Sequence, residues 1–241
     1  GMAKRIPSNA WLVGIFALCM VDLGVVDLSL YTSRPASSVL AEGADLAKAL
    51  AQEPGMFRVY SPSVSLPQYT AVNYHLELTD GVDPMQFGDY VRFMQRATGV
   101  PQTGYSVTLP PFASGTPGAD NADYLPDPAL LGLLNVRFVA AEFDLAVDGL
   151  RQVGSFGATR LYENLYALPR AWVQPATALP GELAQDVQSI DWQPNRIVIS
   201  ARGPGLLVLS EVDYSGWRLE VDGKNHSIER VAGLLRGVEL E

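Results

Sequence analysis

Ser210–Glu241 reads SEVDYSGWRLEVDGKNHSIERVAGLLRGVELE. Short runs alternating apolar and polar residues are separated by Ser215-Gly216, Asp222-Gly223 and Ala232-Gly233. A period of two is the signature of a half-buried strand, and Asp-Gly suits a two-residue hairpin because both of its positions accept positive φ. Just upstream, RIVISARG (196–203) and GLLVLSEV (205–212) add two more runs around Gly203-Pro204-Gly205. Five runs at near-regular spacing predict an antiparallel β-sandwich or open barrel over residues 178–241. Within it Trp217 opens a strand whose Leu219 and Val221 point the same way, so Trp217 is expected in the core, under the opposite sheet. Arg218 and Glu220 then face water, and Tyr214 lies in the turn with its ring free. The competing reading of this aromatic pair is a platform for stacking a sugar.

Before residue 178 the pattern mixes helix and strand. SSVLAEGADLAKALAQEPG (37–55) reads as one helix, capped by Ser37 or Ser38 and stopped at Pro54-Gly55. MFRVYSPS follows as a short strand. A helix is expected from about Met85, with Met85, Tyr90, Val91 and Met94 apolar and Gly99 at its end. Residues 100–128 hold six prolines and three glycines and read as a long loop. DPALLGLLNVRFVAAEFD gives a helix capped by Asp127 with Pro128 in its first turn, then a buried strand over Val136–Ala141. RQVGSFGATRLYEN and LPRAWVQP add further strands. The class is therefore α+β: a hydrophobic helix (1–33), an α/β layered domain (34–177) and the β-sandwich (178–241).

In KRIPSNAWLVGIFALCMVDLGVVDLSLYTSRP, Lys4 and Arg5 precede an apolar stretch from Trp11 to Tyr31. As a helix it is about 30 Å long, enough to cross the hydrocarbon of a bilayer. Its eleven Leu, Ile, Phe and Val residues favour insertion, by about 0.3–0.6 kcal/mol each, while Asp22 and Asp27 oppose it by about 2.5–3.5 kcal/mol per central carboxylate. The sum lies near zero, so neighbouring helices that shelter the carboxylates would favour insertion. A signal peptide lacks its small-x-small cleavage site here, and Leu18 spoils a lipid-attachment motif at Cys19. A buried core helix or strand is the remaining alternative. Lys4 and Arg5 place the start in the cytoplasm and everything after Arg34 outside it.

The 241 residues carry a net charge of −9, which disfavours a nucleic-acid partner. One cysteine and two histidines, His75 and His226, exclude an internal disulfide and offer no zinc-binding spacing. No cofactor motif stands between a strand and a helix. Asp120, Asn121, Asp123 and Asp127 could supply oxygen ligands to calcium, with turn-forming Asx residues as the alternative. Glu142, Asp144, Glu163 and Glu211 are the carboxylates that could pair across strands as acid and base, with solvated strand ends as the plainer reading.

Six stretches in order, VDLGVVDL, FRVY, DGVDPMQFGDYVRFM, LLGLLNVRFVAA, RLYENLYALPRAWV and LVLSEVDYSGWRLEVDGK, make most of residues 20–238 resemble the C-terminal extracytoplasmic part of YfhO-type bacterial membrane proteins. These polytopic proteins are akin to GT-C glycosyltransferases that use lipid-linked sugars. Ser215 stands where the family has proline between the tyrosine and tryptophan. The family's acidic transfer residues lie in early external loops, so the resemblance implies a fragment or a shortened relative without the catalytic half. It further implies a non-catalytic, extracytoplasmic domain at the bacterial cell membrane, accessory to handling a lipid-linked sugar or surface polymer. The expected contacts are Asn73, Asp80, Asp83, Arg92 and Tyr214; membrane lipid or a lipid-linked sugar is the expected partner. The alternatives are a carbohydrate-active hydrolase, or an assembly module forming a homodimer through an edge strand at the C-terminus.

Overall fold

A computed structural model describes residues 8–30, 33–102 and 106–241; Lys4, Arg5 and Tyr31 lie outside them. The chain divides into two units, Gly1–Leu40 and Ala41–Glu241. The first contains α1 (Ser8–Leu30) and begins α2 (Ala36–Ala41). Within α1, Asn9–Leu28 is long and apolar enough to cross a membrane, and none of it is buried. Trp11, Phe16, Leu18 and Leu28 are all more than 60% exposed. An α-helix that is apolar all round and uncovered has no aqueous solution to its burial problem.

The second unit begins with α3 (Ala44–Leu50), β1 (Arg58–Tyr60), α4 (Gln68–Asn73), β2 (Glu77–Leu78) and β3 (Gly81–Val82). Then come α5 (Gly88–Thr98), β4 (Thr108–Leu109), α6 (Pro117–Asp120), α7 (Pro128–Leu133), β5 (Val136–Ala141), β6 (Leu150–Phe156) and β7 (Thr159–Asn164). The rest is strand: β8 (Ala171–Gln174), β9 (Gln185–Asp186), β10 (Ser189–Gln193), β11 (Arg196–Ser200), β12 (Gly205–Val212), β13 (Leu219–Val221), β14 (Lys224–His226), β15 (Glu229–Val231) and β16 (Leu235–Leu240). The fold is thus α+β, as the sequence predicts.

One sheet runs β2-β1-β5-β7-β6, parallel among its first three strands and antiparallel beyond. Val59, Phe138, Ala140 and Leu161 cover one face with α3 and α4. Its other face joins the larger core, where Val139 and Tyr162 meet Phe93 and Met94 of α5 and Leu131 of α7. The second sheet, β15-β16-β12-β8-β9, is antiparallel and turns Trp172, Val208 and Leu235 into that same core. Between the sheets sits an ionic knot. Arg170, whose side chain is 2% exposed, pairs with Glu77 at 2.7 Å and Glu211 at 2.9 Å. Arg58 also pairs with Glu211, and its Nη1 donates to the Leu134 and Ser210 carbonyls. Two guanidinium and two carboxylate groups cancel in charge, which lets Arg170 be buried while the Glu77 side chain, 48% exposed, stays in contact with water.

Several expectations need correction. The helix over 37–55 is broken at Gly43, whose φ of 67° is left-handed; an added Cβ there would lie 2.8 Å from the Ser65 carbonyl oxygen. The second helix starts at Gly88, and Met85 is exposed rather than apolar core. The loop over 100–128 contains β4 and α6. The second sheet takes β8 from before residue 178. The last strand is not an edge: β16 pairs with β15 on one side and β12 on the other. Trp217 is half-buried, with the Arg236 guanidinium 4.2 Å from its ring centre; the tryptophan that plugs the core is Trp172.

Candidate functional site

The predicted contacts fall into two groups. Arg92 and Tyr214 come to one surface. Arg92 is exposed on the second turn of α5 and pairs with Asp89 in the first. Asp89 also reaches Arg230 at 3.0 Å, and Arg230 reaches Asp213 at 3.0 Å, beside Tyr214. The Tyr214 ring, 59% exposed, meets Phe87 edge to face, with centroids 6.1 Å apart. An exposed aromatic pair beside alternating charges offers a sugar both an apolar face and hydrogen-bonding groups. Phe87, Asp89, Asp213 and Arg230 were not foreseen. Only the three-residue spacing of Asp89 and Arg92 signals any of this in the sequence.

The other three have local roles. Asn73 is exposed at the end of α4. Asp83 is exposed and its Oδ1 accepts the Met85 N–H at 2.7 Å, an Asx turn leading into α5. Asp80 is half-buried after β2, where its Oδ1 accepts the Ser61 N–H at 3.1 Å. Burial lifts its carboxyl to about 7, against the opposing pull of the Ser61 and Asp80 N–H groups. Beside it, Tyr60 and Tyr90 are pushed up, each chiefly by burial. The Tyr90 hydroxyl donates to the Thr79 carbonyl.

Three of the four carboxylates weighed as an acid–base pair have arginine partners. Glu211 belongs to the ionic knot, Glu163 pairs with Arg151 and Arg137, and Asp144 pairs with Arg160. At Glu142 the backbone N–H donates to Ser63 Oγ at 3.1 Å. Among the acidic loop residues, Asp120 accepts from Ser114 and Thr116, Asp127 caps α7, and the buried Asn121 donates to the Pro62 carbonyl. No group of three potential metal ligands occurs among the described residues.

Leu207 and the buried Leu209 and Val238 line a groove of about 790 Å³ together with residues 195–199 and 214–220. Trp217 and Arg236 stack within it. Compared with known protein families, with curated proteins and with solved structures, the chain matches none of them.

Proposed function

We propose that this chain is a membrane-tethered, non-catalytic domain that assists the handling of a lipid-linked sugar or cell-surface polymer. One observation carries the reading: α1 leaves a span of membrane-crossing length uncovered. Lys4 and Arg5 before that span favour an orientation with the residues after about 34 outside the cytoplasm. The arginine partners of Asp144, Glu163 and Glu211 favour a structural role for those carboxylates. The sugar contact in this reading is the Tyr214–Phe87 pair, with Asp89, Arg92 and Arg230 as hydrogen-bonding neighbours.

The test is titration of the full chain, in detergent micelles, with a polyprenyl-phosphate-linked hexose. The expected result is saturable binding that Tyr214→Ala weakens at least tenfold while the unfolding midpoint stays unchanged, since sugar stacking on the exposed ring is lost but no core contact is. Equal binding by the wild type and Tyr214→Ala would overturn the assignment of the contact.

A further inference from the structure

Arginine gathers in the groove that Tyr214 lines. Arg196, Arg218 and Arg236 share it with a single carboxylate, Glu220. Elsewhere in the unit Arg58, Arg137, Arg151, Arg170 and Arg230 each form an ion pair with a carboxylate. The three groove arginines form none among the described residues. In a chain of net charge −9, this local excess of positive charge is directed at something other than the chain's own acids.

Arg236 is the arginine held most firmly in place. It stands opposite Leu209 in the register of β12 and β16, and its neighbours Val208 and Leu235 face the core. Arg236 therefore lies on the opposite face of the sheet. Its Nε donates to the Val212 carbonyl at 3.0 Å, and its guanidinium lies 4.2 Å from the Trp217 ring centre. These contacts use one of the five N–H donors that a guanidinium carries. The other four have no protein acceptor among the described residues. Partial burial pulls its pKa down, against Glu211 and Asp213, which are themselves engaged by Arg170 and Arg230. A partly desolvated cation with open donors gains most from a charged acceptor, and its planar fork matches two oxygens of a carboxylate or phosphate.

We propose that the groove binds an oxyanion carried by a saccharide, as a sugar phosphate or a uronate, with Arg236 as anchor and the exposed Arg218 and Arg196 as further donors. The proposal rests on the sugar contact at Tyr214, which lines the same groove, and adds the charge of the sugar to it. The groove volume of about 790 Å³ is that of a small-molecule site.

Calorimetric titration of the full chain in neutral-detergent micelles tests this, with glucose 1-phosphate, glucuronate, glucose and inorganic phosphate as probes. At least one of the two charged sugars should bind at least tenfold more tightly than glucose. The tighter of the two identifies the oxyanion as phosphate or carboxylate. Arg218→Ala and Arg236→Gln should each weaken that probe at least tenfold. Arg96→Ala should leave it unchanged, since Arg96 is exposed and also lacks an ion pair but lies outside the groove. Arg218 is exposed, so its variant keeps the fold and reports on binding alone. Equal binding of charged and neutral sugars would overturn the proposal, as would an Arg218→Ala variant that binds like the wild type. Weakening by Tyr214→Ala but not by Arg218→Ala would keep the sugar contact and remove the anion site. Inorganic phosphate bound as tightly as glucose 1-phosphate, with Tyr214→Ala silent, would instead remove the sugar contact, and the saccharide with it.

Discussion

Replacing Asp80 with asparagine should make the second unit more stable above neutral pH. The carboxyl has a folded value of about 7 against an ordinary 3.8, because burial disfavours its charge. That gap corresponds to about 4 kcal/mol, and partial exposure of the residue reduces it to about 2–4 kcal/mol. The sign follows from proton counting. Between 3.8 and about 7 the folded chain binds more protons at this position than the unfolded chain, so stability falls as pH rises. The contribution is fully present below 3.8 and lost as pH rises through about 7. From pH 5 to pH 8 this one group should withdraw about 2–3 kcal/mol. Asparagine keeps an oxygen for the Ser61 N–H, so the variant removes the charge and spares the hydrogen bond. Urea unfolding of the full chain in micelles, followed by circular dichroism at pH 5 and pH 8, measures both slopes. Asp80→Asn should gain stability at pH 8 and show a flatter pH dependence than the wild type. A less stable variant at pH 8, or an unchanged slope, would refute the reasoning.

Two further substitutions probe what holds the layers together. Arg170→Met leaves Glu77 and Glu211 facing Arg58 alone; it should cost about 3–5 kcal/mol in the same unfolding assay, with Arg170→Lys recovering only part because it lacks the guanidinium fork. Gly132→Ala drives a methyl into the Tyr166 carbonyl oxygen, which α7 packs against; a loss of about 3 kcal/mol or more is expected, and a neutral effect would mean that α7 can shift freely.

How much of this the sequence discloses depends on range. Asp127 caps α7, and Val136–Ala141 is a strand at the predicted residues, because both follow from neighbours a few positions away. Asp222 and Gly223 take φ of 49° and 77° between β13 and β14, as the hairpin rule requires. Gly43 defeats the same local reading. Its helical neighbours read as one helix, and the break coincides with packing against Ser65 and Pro67, which the local pattern does not encode. Trp217 shows the limit of face-counting: Leu219 and Val221 do share a half-buried side with it, yet the hairpin stands off the sheet and leaves the ring in a groove with Arg236. At the candidate site, Arg92 and Tyr214 were legible as exposed polar and aromatic residues. Their joining through Asp89, Arg230 and Asp213 was not, since ion pairs 141 residues apart in sequence leave no periodicity to read.

Alkaline carbonate extraction of membranes from cells expressing the full chain tests the central claim, that α1 holds the folded unit at a bilayer. The wild type should remain with the sedimented membranes. Phe16→Arg with Leu18→Arg, adding about 2.5–3.5 kcal/mol of insertion cost at each position, should release the chain to the supernatant. Recovery of the wild type in the soluble fraction, with α1 intact, would contradict the account.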